Sequence, residues 1–214
     1  MAEVIICKLC RQRRAKRACP AVHGEICAIC CGEQREVTLA CPLDCGFLRE
    51  AHKHEKTIDI PVDQIANSDV ELTEDFLHSR QELLLITMFT LMQAILDTPH
   101  AQDTDVLEAL AALIQTRRTA QSGLLYESRP DNLVAHRIQQ KLADSLQLLV
   151  NTAREDSMEF SSELEGDLFK LLVFLHRIGQ QNLNGRPKGR MFIDMLRQMT
   201  PDTGVDERAP SIIL

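Results

Sequence analysis

A mostly α-helical chain that begins with a small, differently built domain is what this sequence predicts, on three observations. All eight cysteines stand at positions 7, 10, 19, 27, 30, 31, 41 and 45, and none follows. After Lys56, apolar residues recur at three- and four-residue spacing, the period of a helix with one buried face. No alternating run of strand type occurs in that stretch. The composition, 44% hydrophobic and 26% charged over 214 residues, excludes disorder and collagen and is that of an ordinary globular chain.

The N-terminal domain, residues 1–56, is read as coordination chemistry. Its spacing is Cys7-x2-Cys10-x8-Cys19-x3-His23-x3-Cys27-x2-Cys30-Cys31-x9-Cys41-x3-Cys45. Two residues between cysteines let a tight turn aim both thiolates at one metal ion, and two such pairs complete a tetrahedron. Cys7 with Cys10 and Cys27 with Cys30 have that spacing, while Cys19 with His23 and Cys41 with Cys45 are one residue wider. Four pairs imply two zinc ions, with Cys7, Cys10, Cys19, His23, Cys27, Cys30, Cys41 and Cys45 as ligands. Cys31 is spare: adjacent residues point in different directions, and Cys30 keeps the two-residue gap. The pairs could be sequential or interleaved. Interleaving, in which the first and third pairs share one ion and the second and fourth the other, is preferred because two separate fingers of about 20 residues would each lack a core.

A site closed by four protein ligands has no open coordination position, so the zinc is read as structural. The bacterial ferredoxin run of three two-residue gaps and Cys-Pro is missing, which argues against an iron–sulfur cluster. No export signal is visible, since Glu3 and Lys8 bracket only Val4 to Cys7. The longest nearly apolar stretch, Leu83 to Leu96, is broken by Thr87, Thr90 and Gln93 and falls short of the roughly 20 residues needed to span a bilayer. The expectation is a cytoplasmic chain without membrane attachment, where clustered cysteines serve as metal ligands.

Val37 to Ala40 reads as a short strand. Cys41-Pro-Leu-Asp-Cys45 then opens an amphipathic helix with Leu43, Phe47, Leu48 and Ala51 at helical spacing. A knuckle, a hairpin and a helix carrying the last ligand pair at its N-terminus make a treble-clef-like layout, and the free N–H groups of a helix start suit thiolates. Cys7-x2-Cys10, Cys19-Pro20 and Cys27-x2-Cys30 resemble HIT-type and MYND-type zinc fingers over roughly the first 45 residues. That resemblance implies a protein-interaction module. It departs from the HIT pattern at His23, where the family places a cysteine one residue sooner, and at Cys41 and Cys45, which come late. CCGEQREVTLACPLDC with the later NGRPKGR also resembles a bacterial family of this two-part layout, a likeness that implies no activity.

Arg11, Arg13, Arg14, Lys16 and Arg17 place five positive charges in seven residues, a nucleic-acid flag. Against it, residues 1–56 carry ten Lys and Arg against seven Asp and Glu, and seven thiolates with two zinc ions bring the metallated domain to zero. The rest of the chain has fourteen basic against twenty-four acidic residues, a poor polyanion binder. With no tryptophan, one tyrosine and only Phe47 in the finger, bases have little to stack on. Another protein is the preferred partner.

Residues 57–72, with Pro61 and Asn67, read as a linker, 73–200 as an all-α bundle of about five helices and 201–214 as a flexible tail. Thr73 caps a first helix running to about Asp97, ended by Thr98-Pro99. Apolar residues nearly encircle it, which predicts the central helix. Asp105-x-x-Glu108 has capping-box form and starts a second helix ending before Gly123. Asp131 starts a third, with Val134, Ile138, Leu142, Leu146, Leu149 and Ala153 inward. Ser162 starts a fourth, with Leu168, Phe169, Leu172, Phe174, Leu175 and Ile178 inward, and Met191 to Met199 forms a short fifth.

Two loops stand out. Asn184-Gly-Arg-Pro-Lys-Gly-Arg190 precedes a helix, so Arg186, Lys188 and Arg190 with the helix-start N–H groups could hold a phosphate or carboxylate. With the loop 124–131 it could form a ligand cleft in which Tyr126, Arg129, Arg186 and Arg190 face one another. His78, His100, His136 and His176 are scattered, and Asp75 with His78 lacks the paired Glu-x-x-His motifs of a di-iron bundle. The leading expectation is a non-enzymatic zinc-binding protein. Nucleic-acid binding and a ligand-binding or enzymatic bundle stand as alternatives.

Overall fold

A computed structural model describes residues 4–124, 126–156 and 158–200. The tail expected at 201–214 lies outside the described residues. The chain is mostly helical. Strands β1 (Arg17–Cys19) and β2 (Gly24–Ile26) are followed by α1 (Ala28–Gln34), α2 (Gly46–His52), α3 (Glu74–Ser79), α4 (Gln81–Leu96), α5 (Asp103–Gln121), α6 (Leu133–Asp156), α7 (Met158–Gln181) and α8 (Met191–Met199).

In the N-terminal module, β1 and β2 pair antiparallel in the register Arg17↔Ile26 to Cys19↔Gly24 around a 3-10 turn, Pro20–Val22. The basic segment is held through its backbone on both sides: Ala15 N donates to Ile5 O of the N-terminal stretch at 2.8 Å, and Lys16 N to Ile26 O of the hairpin at 2.9 Å. The strand expected at Val37 to Ala40 is absent. Glu36 takes a φ of 54°, which turns the chain, and only an isolated bridge between Arg35 and Leu39 remains. Cys45 stands at the start of α2, where the sequence places the last cysteine pair, and Leu43 and Leu48 are buried. Phe47 is not core. It is 41% exposed, and the Arg17 guanidinium lies over its ring at 4.6 Å.

In the bundle, Thr73 Oγ1 accepts from Phe76 N at 3.1 Å, the cap that was expected. The single helix from Thr73 to Asp97 is instead two, broken at Arg80, whose side chain reaches Asp167 of α7 at 2.5 Å. α4 is not central either. Met88, Leu91, Met92 and Ile95 pack inward against α6, α7 and α8, while Leu85, Ile86 and Phe89 stay 46%, 47% and 40% exposed. An apolar circumference says only that any face could be buried; the number of neighbouring helices decides how much of it is.

α5 begins two residues before Asp105, which sits at the third helical position and reaches back to accept from Gln102 N at 2.8 Å in a capping box. Asn132 Oδ1 accepts from Val134 N at 2.9 Å at the start of α6, and α7 begins four residues before Ser162. Ile138, Leu142, Leu146 and Val150 of α6, Leu168, Leu172 and Leu175 of α7 and Val106, Leu110 and Leu113 of α5 form one core. Each fully buried side chain of this kind contributes about 1.5–3 kcal/mol. Leu43, from the cysteine segment, belongs to the same core.

The stretch 57–72 is fastened rather than slack. Arg177 of α7 donates to the carbonyls of Ala66, Asn67 and Val70, Gln180 Oε1 accepts from Ala66 N at 3.1 Å, and Ile58 N donates to Leu183 O at 2.7 Å. Among the described residues, no helix is long and apolar enough to cross a membrane.

Candidate metal centre

Four cysteines converge: one Sγ each from Cys7, Cys10, Cys27 and Cys30, all within 4.8 Å of one another. They are the first and third sequence pairs, the ones an interleaved pairing puts together. Cys7, Cys27 and Cys30 are buried. Local structure aims them. The turn after Cys7 points the N–H groups of Leu9 and Cys10 at its sulfur, and at the start of α1 Cys30 N donates to Cys27 Sγ at 3.4 Å. Arg13 Nη1 lies 3.9 Å from the Cys27 sulfur.

The electrostatics fit a cation. Burial pushes the Cys7 thiol up, but backbone donors, Cys10 first, outweigh it and bring it down to about 6. Cys27 is lowered chiefly by the Cys30 N–H. Burial, then the neighbouring sulfurs of Cys27, Cys10 and Cys7, push Cys30 up to about 12. Some thiols are prepared to ionise while the last resists adding another negative charge. A divalent cation removes that conflict, and this donor set can hold one metal ion.

The remaining expected ligands are placed differently. Among the described residues, Cys19, His23, Cys41 and Cys45 do not reach the same mutual approach. His23 is exposed, at φ 47°, because it closes the Pro20–Val22 turn in the left-handed conformation. Cys31, expected to be spare, is 8% exposed and packs in the module's core. All eight cysteines are free of disulfides.

A second polar cluster, not anticipated from the sequence, joins the module to the bundle. Glu36 is completely buried, and its carboxylate accepts from His52 Nε2 at 3.1 Å, Arg190 N at 2.7 Å and Asn184 Nδ2 at 2.9 Å. The other ring nitrogen of His52 lies 3.0 Å from Asp194 Oδ2 on α8. Burial disfavours charge on His52, but the bonds to Asp194 and Glu36 outweigh it and raise the imidazole to about 9. Nearby, burial raises Asp103 to about 6 against the opposing N–H groups of Ile193 and Phe192, whose helix start it caps. Glu55 also approaches Glu36 and His52, but its carboxylate is taken by Arg186 at 2.6 Å.

This cluster redefines the loop 184–190. The anion it holds is the protein's own: Arg190 N and Asn184 clasp the Glu36 carboxylate, and Lys188 N donates to Glu36 O at 2.8 Å. The side chains are engaged too, Arg186 with Glu55, Lys188 with Thr38 O at 2.8 Å and Arg190 with Cys41 O at 3.3 Å.

The cleft of Tyr126, Arg129, Arg186 and Arg190 is not formed. Tyr126 O accepts from Thr119 near the end of α5, Gly189 O accepts from Asp103 N at its beginning, and Arg129 pairs with Glu127. Sixteen residues of helix separate those two anchor points, about 24 Å. Of the basic segment, Arg11, Arg14 and Lys16 are exposed. No family model matches the chain, and neither the curated proteins nor the solved structures contain a significant match.

Proposed function

We propose that the chain is a non-enzymatic zinc-binding protein whose metal folds the N-terminal module and whose surface binds another protein. The convergence of Cys7, Cys10, Cys27 and Cys30 carries the reading. Four soft thiolates brought within 4.8 Å of one another favour zinc over hard cations such as magnesium or calcium, and a tetrahedral ion held by all four has no coordination position for a substrate. Eight unpaired thiols fit a reducing, cytoplasmic setting. The exposed apolar strip of Leu85, Ile86 and Phe89 on α4 supports the binding role.

Metal analysis of the purified chain tests the first half. At least one zinc ion per chain is expected, with the module unfolding in chelator. Less than one ion, with an unchanged melting curve in chelator, overturns it. For the second half, a photo-crosslinking side chain at residue 86 should yield one discrete adduct in cells, and the same group at the exposed Glu108 none. Equal adducts at both positions argue against a dedicated surface.

Nucleic-acid binding remains a second reading because Arg11, Arg14 and Lys16 are exposed. Retention on a polyanion column at low salt, lost on charge reversal of these three, would favour it.

A further inference from the structure

The two turns that carry the early cysteines are the same turn built twice. Cys7 receives the N–H groups of Leu9 and Cys10, two and three residues on, and the next residue, Arg11, has φ 53°. Cys19 receives the N–H groups of Ala21 and Val22, again two and three residues on, and the next residue, His23, has φ 47°. By this equivalence Val22 stands where Cys10 stands, and His23 stands where the non-ligand Arg11 stands. The second turn therefore offers one thiol, and its histidine is turned out to solvent.

The missing thiol is on α1. Successive residues of a helix are about 100° apart, so Cys30 and Cys31 face different directions. Cys30 enters the first cluster; Cys31, also buried, does not. It shares the module's core with Cys19, Cys41 and Cys45. Beyond the effect of burial, the charges of Cys31 and Cys45 act on Cys19, and those of Cys45 and Cys19 act on Cys41, which puts these sulfurs in one neighbourhood, although no three of them come within the 4.8 Å that the first four share. One support of the first cluster recurs, since Glu36 N–H donates to the Cys41 sulfur; Cys45 holds the same N-cap position on α2 that Cys27 holds on α1, but its sulfur takes no N–H there.

We propose that Cys19, Cys31, Cys41 and Cys45 form a second four-thiolate site for a divalent cation of the zinc type, with Cys31 as the ligand in place of His23. The inference rests on the reading of the first cluster as a metal centre and extends it. On binding, four thiols release four protons to solvent, and the dication leaves the site with two net negative charges. α1 then bridges both centres, Cys27 and Cys30 holding one ion and Cys31 the other. Cys41 lies five residues beyond Glu36, so the second ion would brace the turn that carries the buried contact to the bundle.

The full chain, loaded with zinc and counted by mass spectrometry, then titrated as apoprotein with cobalt(II) to read thiolate-to-metal absorbance, gives the test. Wild type should hold two ions, His23→Ala two ions with undiminished absorbance, and Cys31→Ser one ion. Cys31→Ser holding two ions at wild-type affinity, or His23→Ala losing one, overturns the proposal. A wild type with a single ion that Cys7→Ser removes and Cys31→Ser leaves in place overturns this site while sparing the first. No ion in wild type removes the first reading as well. Should Cys31→Ser fail to fold, His23→Ala still decides between the two ligand sets.

Discussion

The cysteine module and the helical bundle solve the same stability problem by different means. The module's strands are three residues long and its two helices seven each, and apart from sulfur its core is little more than Ile26, Leu39 and Leu48. The bundle buries continuous rows of leucine, isoleucine and valine on helices of up to 24 residues. A chain segment of the module's size cannot offset its conformational entropy with so few apolar groups. On the proposed reading, coordination holds one region and burial the other, with Glu36, His52 and Asp194 as the joint.

The largest effect should come from removing the metal. Structural zinc contributes on the order of 10 kcal/mol to peptides of this size. Chelator or Cys10→Ser should therefore abolish amide-exchange protection in the module while the helical signal of the bundle persists. Loss of the whole helical signal in one transition would show that the two regions are not separately stabilised.

Next in size is the converse. Leu142→Ala or Leu172→Ala, each at a fully buried site, should cost about 2–5 kcal/mol in chemical denaturation without lowering metal content. A fall in bound metal would mean that the module depends on the bundle.

The joint comes third. Removing one partner of a buried ion pair costs about 3 kcal/mol or more, so His52→Ala should uncouple the module and lower the midpoint. Its pH dependence has a definite sign. The folded imidazole is raised from 6.5 to about 9, so its stabilisation is complete below pH 6.5 and is lost as pH rises through 9. Measured with saturating metal, wild type should lose stability across that window, and His52→Gln should lack the slope. Parallel profiles would show that His52 is not held as the cation.

The smallest effect is Thr73→Ala, about 1 kcal/mol from the lost cap of α3, with both metal content and the joint untouched.

What the sequence made legible follows the range of the interactions. Helical periodicity is local, and it located the bundle helices and both ends of α8. Cys7 with Cys10 and Cys27 with Cys30 were legible as pairs because a two-residue gap is itself a geometric constraint; that these two pairs meet rested on a different argument, the missing core of two separate fingers. The exposure of His23 was not legible because spacing counts residues and not the left-handed turn on which it stands. His52 and Asp103 carried no local signal: their partners are 142 and about 90 residues away. The open face of α4 was hidden because apolar residues lie on all its sides.

The bond from Arg190 N to Glu36 spans 154 residues. At a synthesis rate of about 5–20 residues per second, Glu36 leaves the ribosome roughly 8–30 s before the loop that clasps it. On the proposed reading, the nascent module would have time to acquire its ion and its shape with the Glu36 carboxylate still hydrated, since that carboxylate meets Arg190 N only after α8 begins to emerge. Metal loading and docking would then be separable in time, and on that reading a shortage of zinc would act on the first event before the second can begin.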